Sequence, residues 1–206
     1  MLLFVVITVV AGYLLGNLNG AVCMSRVLGD DVRTHGSGNA GLTNFIRSYG
    51  AGRALAVIGI DAGKAVVACL IGGLLLRGDL GFRAGSALGG AAVMLGHVFP
   101  AFLGFRGGKG ILSGLFIALM TDYRVAVLIL AVFAVAYLLT QYVSLGSVLA
   151  ALAFSIGFIV LHYNEPIVMI CGIFMSLLAT FMHRQNILRL LKGEERKTDL
   201  FKKNKQ

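Results

Sequence analysis

Charged residues are scarce in this chain. Asp, Glu, Lys and Arg make up 13% of its 206 residues, about half the share found in soluble domains. Tryptophan is absent, proline occurs twice and cysteine three times. So little proline leaves long stretches without a helix breaker. Cys23, Cys69 and Cys171 each stand alone inside an apolar run, which excludes a disulfide framework and a cysteine-based metal site. No basic stretch precedes the first apolar run, residues 1–25, and that run is too long for the core of a cleaved signal peptide. It reads as a first transmembrane helix. What the chain has instead is apolar surface and glycine: 58% hydrophobic residues and 28 Gly, with a mean hydropathy of +0.88. A soluble fold of this size has no interior large enough for that surface, so a multi-spanning membrane protein follows. Frequent Gly suits membrane helices that pack through small residues.

Hydropathy divides the chain into seven apolar segments, residues 2–25, 54–76, 84–103, 111–120, 125–140, 145–162 and 167–182. The fourth is short for a crossing, and re-dividing the fourth to sixth leaves a five-span alternative. The predicted fold class is all-α: a polytopic integral membrane helical bundle of about seven spans. It is expected to be a single domain, 1–206, with the bundle over 1–183 and a basic tail over 184–206. The net charge of +9 fits this reading through its location, since eight of the 18 Lys and Arg residues lie from Arg184 onward. There is no RNA-binding motif or aromatic-basic platform, so no nucleic acid partner is expected. With an odd span count and the tail in the cytoplasm, the N-terminus lies outside. Fourteen cations then face the cytoplasm, only Arg77, Arg83 and Arg124 face outward, and Lys64 stays inside the second span.

This topology gathers the polar clusters at the cytoplasmic ends of the odd-numbered segments. The first, residues 35–47, reads H-G-S-G-N-A-G-L-T-N-F-I-R. Gly36, Gly38 and Gly41 permit φ > 0 and an inward-turned set of N–H groups that suits an anion. Ser37, Asn39, Thr43 and Asn44 add neutral hydrogen-bonding groups, and Arg47 adds a planar fork suited to phosphate. Residues 36–41 match G-x-G-x-x-G, with Asp61 twenty residues later, which is the spacing of a dinucleotide fingerprint. No strand precedes it and an apolar span follows, so the nucleotide reading fails. A plain flexible loop accounts for the glycines but not for their polar company.

The second cluster is G-F-R-G-G-K-G, residues 104–110. It lacks the spacing and the Ser or Thr of a Walker phosphate loop. Gly107, Gly108 and Gly110 around Lys109, ahead of a helix start, still favour an anion. Taken alone, the stretch fits a basic topogenic loop as well. Ser144 and Ser147 follow the fifth segment. His183 and Asn186, three apart, share a helix face after the seventh. Asp61 and Lys64, also three apart, lie inside the second span, where they either neutralise each other or meet a substrate. His162, beside Tyr163, reads as structural. No His, Cys, Asp and Glu cluster has metal spacing, so neither metal nor cofactor is expected.

Together these residues resemble one family, the bacterial membrane acyltransferases called PlsY, which use acyl phosphate to acylate glycerol 3-phosphate. The pattern G-S-G-N-x-G-x-T-N-x-x-R is met over 36–47, G-H-x-F-P-x-F-x-x-F-x-G-G-K-G over 96–110, and H-R-x-N-I over 183–187. Y-V-S-L-G-S at 142–147 and the D-x-x-K of the second span also fit. The chain departs at 16–20, G-N-L-N-G where many members have G-S-I-P-F, and at Gln185, where many have Glu. These departures bear on the shape of the first span's end and on one structural contact. No His is followed by Asp at the fifth position after it, so the H-x-x-x-x-D arrangement of other acyltransferases is absent, in agreement with an acyl phosphate donor.

The resemblance implies a product, 1-acyl-glycerol 3-phosphate (lysophosphatidic acid), and a bacterial inner-membrane location with the site facing the cytoplasm. It implies glycerol 3-phosphate, acyl phosphate and membrane lipid as partners, with no obligate protein partner. In this reading Arg47, Lys109 and His183 neutralise phosphates, aided by N–H groups around Gly38 and 107–110. Ser37, Ser147 and Asn186 orient the glycerol hydroxyl and the acyl carbonyl. The wider binding set adds Gly36, Asn39, Gly41, Thr43, Asn44, Asp61, Lys64, His97 and Ser144. The proton acceptor is either His183 or a substrate phosphate. The rival reading is a multi-pass transporter of a small phosphorylated anion. Against it stand the lack of an internal repeat and the gathering of polar groups at one face instead of mid-membrane.

Overall fold

The computed structural model describes residues 1–197, which form helices and turns with no strand among them. Lys202, Lys203 and Lys205, three of the tail's eight cations, lie outside the described residues. The elements are α1 (Leu2–Gly16), α2 (Gly20–Val27), α3 (Leu42–Tyr49), α4 (Ala54–Leu75), α5 (Phe82–Val98), α6 (Ile111–Thr121), α7 (Tyr123–Thr140), α8 (Val143–Leu161), α9 (Pro166–Met182) and α10 (Arg184–Leu191). All seven expected apolar segments are therefore helical. Five stretches are long and apolar enough to cross a membrane: Leu2–Val27, Ala51–Leu75, Phe82–Leu103, Tyr123–Thr140 and Val143–Leu161. Helix α9 makes a sixth when taken with α10, across a bend of 56°. Helix α6 has 11 residues, about 16 Å of rise, roughly half of a ~30 Å hydrocarbon core. It starts at Gly110, whose φ of 82° lies in the left-handed region. It ends at Asp122, whose carboxylate caps α7 by accepting from Arg124 N at 2.8 Å.

The first expected span, 2–25, is not one helix. It breaks where the two asparagines stand. Asn19 Oδ1 accepts from Val22 N at 3.0 Å and so caps α2. Asn17 Nδ2 donates to Tyr13 O at 2.7 Å, and its Oδ1 accepts from Phe102 N at 3.0 Å. Short amide side chains offer the backbone partners that compete with the helical ladder, which ends α1 here.

Helix α5 packs against α1, α4, α6 and α9, and small residues set how closely. A Cβ added to Gly85 would collide with Gly72 O, one on Gly89 with Ala68 O, and one on Gly96 with Tyr13 O. A Cβ on Gly16 would lie 2.6 Å from Gly96 Cα. The helices thus meet at backbone contact, the packing available where lipid tails are as apolar as the side chains themselves. Outward, Leu2, Leu3, Leu55 and Leu139 are exposed, a surface suited to hydrocarbon. The main core holds Ile117, Phe154, Phe158 and Met175 among alanines. A smaller cluster of Val22, Val32, Phe45 and Val57 joins α2 and α3 to α4. Away from the glycine loops, His162 bridges two carboxylates, Asp122 Oδ2 at 3.0 Å and Glu165 Oε1 at 2.9 Å. It ties the α6–α7 turn to the corner between α8 and α9, the structural part expected of it.

Candidate active site

The 35–47 segment is shaped by one side chain, Asn44 of α3, which is buried. Its Nδ2 reaches the carbonyls of Val32 (3.0 Å), His35 (3.0 Å) and Asn39 (3.1 Å), and its Oδ1 accepts from Ser37 N at 3.0 Å. The loop closes on Asn44 only because Gly36 sits at φ 58°, where a Cβ would strike Asn44 Oδ1. Asn19 Nδ2 donates to Ala40 O at 2.9 Å, and Arg33 Nη1 donates to Leu103 O at 2.8 Å. The two glycine loops are thereby fixed to the helix break and to each other.

Beneath them lies a buried charge cluster. Lys64 Nζ is 2.7 Å from Asp61 Oδ1, with both side chains 2% exposed or less. It also lies 2.7 Å from His97 Nδ1 and 2.6 Å from Leu18 O. An ammonium only donates, so His97 Nδ1 accepts in this contact. Asp61 Oδ1 in turn accepts from Gly20 N at 3.1 Å. The break between α1 and α2 frees backbone groups inside the bundle. The lysine satisfies a carbonyl there and the aspartate an amide. The two charges thus neutralise each other, and Asp61 also lines the neighbouring cavity.

All four polar clusters open onto one cavity of about 510 Å³. Its polar end is lined by Ser37 and Arg47, by Lys109 at the start of α6, by Ser144 and Ser147 of α8, and by His183 and Asn186 at the corner of α9 and α10. Lys109 Nζ donates to Asn186 Oδ1. Ser147 Oγ donates to Val143 O at 2.8 Å, whereas Ser144 Oγ is buried with no partner among the described residues. His183 Nδ1 donates to Ala179 O at 2.8 Å, which leaves Nε2 as the unprotonated nitrogen of the neutral ring. Burial pushes Lys109 down to about 8, with Arg189 and Arg47 acting the same way and Glu195 opposing them. The remaining wall is apolar, formed by Leu112 and Leu115 of α6 and Ile129, Leu130 and Phe133 of α7. Leu130 is 53% exposed, so this wall reaches the outer surface of the bundle.

Ser37, Arg47, Lys109, Ser147, His183 and Asn186, the six expected catalytic residues, all line the cavity. So do Gly36, Asn39, Gly41, Thr43, Asn44, Asp61, His97, Gly110 and Ser144 from the wider set. Gly38, Lys64, Gly107 and Gly108 are not on its wall. Gly38 N donates to His35 O at 2.9 Å and Gly108 N to His97 O at 3.1 Å, so these N–H groups are satisfied within the loops and do not turn toward an anion. Gly107 is packed against Pro100 and His97 O, and Lys64 belongs to the charge cluster. Asn44 reaches the wall, but its polar atoms are engaged in holding the loop. Gln185 is exposed on α10, off the cavity. Three charged lining residues lie outside the expected set: Arg189, Glu195 and Arg196. Arg189 continues the face of His183 and Asn186 at a further three residues, a signal that was present. Glu195 and Arg196 arrive by the chain folding back, which no local pattern announces.

A family model for glycerol-3-phosphate acyltransferase matches residues 6–193. The chain belongs to the glycerol-3-phosphate acyltransferase family. Among its relatives of that name, one from Anaeromyxobacter dehalogenans (strain 2CP-C) is 42% identical over 93% of this chain and 96% of its own length. Another, from Thermoanaerobacter sp. (strain X514), is 37% identical over 95% of this chain and 96% of its own. The fold is similar to that of PlsY (YgiH), an integral membrane glycerol 3-phosphate acyltransferase solved in a glycerol 3-phosphate form. The TM-score is 0.86 at 31% identity, covering 96% of this chain and 99% of that one. Its lysophosphatidic acid form gives a TM-score of 0.83, with 95% of both chains covered. As a glycerol-3-phosphate acyltransferase of this family, the protein is an integral membrane enzyme.

Proposed function

We propose that this acyltransferase moves an acyl group from acyl phosphate to the C1 hydroxyl of glycerol 3-phosphate, giving lysophosphatidic acid and inorganic phosphate. One observation carries the reading: Arg47, Lys109 and Arg189 share a single cavity with an apolar wall that reaches the lipid-facing surface. Two phosphorylated substrates, one with a long chain, need both features together. The glycerol 3-phosphate and lysophosphatidic acid forms of the similar PlsY support this substrate and product.

A mixed anhydride carries its own leaving group, so the protein needs to supply position and charge. The C1 oxygen attacks the acyl carbon, the bond from that carbon to the phosphate oxygen breaks, and phosphate departs. Neutral His183 accepts a hydrogen bond from the attacking hydroxyl at Nε2. The proton passes to a substrate phosphate. A phosphate monoester, whose second ionisation lies near ~6, is a base of suitable strength near neutral pH. Ser37, Ser147 and the Ser144 hydroxyl, which has no partner among the described residues, orient the acyl carbonyl and the glycerol, and Arg47 and Lys109 hold the phosphates. The cavity faces the cytoplasm of a bacterial inner membrane, with the N-terminus outside. The charge distribution supports this, since Arg47 and Lys109 lie at the cavity end and Arg83 and Arg124 lie beside His162.

Purified enzyme in detergent, given acyl phosphate and glycerol 3-phosphate, is expected to form lysophosphatidic acid and release phosphate in equal amounts. Product from acyl-CoA but none from acyl phosphate would overturn the donor. Failure with both, together with glycerol 3-phosphate uptake into proteoliposomes, would favour the transporter.

A further inference from the structure

A carboxylate of the chain itself occupies the cationic end of the cavity. After α10 the backbone turns at Gly193, with φ 71°, and brings Glu195 and Arg196 onto the cavity wall. Glu195 Oε2 accepts from Arg189 Nε at 2.8 Å, and its Oε1 accepts from Asn186 Nδ2 at 3.2 Å. Asn186 holds Lys109 through its other amide atom. The Glu195 side chain is only 10% exposed. Two residues on, Lys197 Nζ lies 5.5 Å from the centre of the Tyr142 ring at the start of α8, so the strap is docked at two points. The charge on Lys109 feels Arg189, Glu195 and Arg47 together, which places the carboxylate within the same field as the cavity's cations.

The donors that Glu195 engages, an arginine N–H and a side-chain amide beside a lysine, are those a phosphate oxygen takes. A carboxylate and a phosphate therefore compete for them. We infer that Glu195 is a built-in competitor for the phosphate site: in the substrate-free enzyme its carboxylate holds the clamp of Arg189, Asn186 and Lys109, and the phosphate of glycerol 3-phosphate must displace it. This rests on the reading of the cavity as the substrate site. Gly193 is the hinge that allows the strap to leave while α10 stays in place. The apparent affinity for substrate is lowered by the fraction of enzyme in which the strap is docked.

The test is steady-state kinetics on the full chain with Glu195→Gln, which removes the charge and keeps the shape. The exposed neighbour substitution Glu194→Gln serves as control. Glu195→Gln is expected to lower KM for glycerol 3-phosphate about threefold to tenfold with kcat held within about twofold. Inorganic phosphate should inhibit the variant more strongly by the same factor, and Glu194→Gln should match the wild type. An unchanged or raised KM with a lowered kcat would overturn the inference and make Glu195 a positioning residue for Arg189. A wild type that transfers no acyl group to glycerol 3-phosphate would overturn the substrate reading instead. In that case calorimetric binding of inorganic phosphate to both proteins still decides the competition: tighter binding by Glu195→Gln upholds it, and equal binding ends it.

Discussion

Lys109→Ala is expected to lower kcat/KM for glycerol 3-phosphate by about tenfold to a hundredfold, because a hydrogen bond to a charged group contributes about 1.5–3 kcal/mol. Lys109 is positioned for this by the glycine loop before α6 and by its bond to Asn186. Arg47→Lys keeps the charge but loses the planar fork, and a loss of about tenfold or more is expected from it. Both variants should still insert and extract as monodisperse protein, since neither residue belongs to the packed core. Near-wild-type turnover in either would defeat the anion-clamp assignment. The pH profile reads the same lysine independently. Burial holds Lys109 down to about 8, and a cation is charged below its pKa and neutral above it. Wild-type kcat/KM should therefore fall as pH rises through about 8. The falling limb should be absent in Lys109→Arg, whose guanidinium keeps its proton. A profile that is flat through that range in the wild type would show that the lysine charge is not used.

Lys64→Met is expected to destabilise the protein by about 3–5 kcal/mol, the cost of leaving a buried partner charge uncompensated. Asp61 would lose its 2.7 Å partner in a place with almost no solvent, and Leu18 O would lose its donor at the helix break. Thermal unfolding in detergent measures the effect. Adding Asp61→Asn to Lys64→Met should recover part of the loss, since the pair is then removed together and not halved. A Lys64→Met protein with the wild-type midpoint would refute the structural role. Asp61→Asn alone, stable but inactive, would return Asp61 to the list of substrate ligands.

The glycine loops illustrate how far sequence reading reaches. Ser37, Arg47 and Lys109, which line one cavity, were legible as candidates for an anion site because their residue types carry that chemistry wherever the backbone runs. Asn44 was legible as polar and near the site, but not as the support that uses all its polar atoms on the loop. That distinction depends on where Val32 O, His35 O and Asn39 O point, and only the folded loop says so. Gly38 and Gly108 failed as anion-binding amides for the same reason. A glycine permits an inward N–H, but the nearest carbonyl decides whether it is available.

Composition and period settled what the bilayer demands. Apolar runs had to be helices, because a backbone in hydrocarbon must satisfy its own hydrogen bonds. The segment order, the small-residue packing and the polar ends followed from local pattern alone. The tertiary structure decided what local pattern cannot encode. Asn17, Asn19, Asp61, Lys64 and His97 come from three separate spans, yet they form one device that breaks the first span and seals the break. Glu195 reaches Arg189 only because the chain turns back after Gly193. At the helix break the partner is chosen by which backbone groups the fold leaves unsatisfied in a dry interior, and at Glu195 by which side-chain donors line the cavity; each is a property of the assembled bundle and not of any stretch within it.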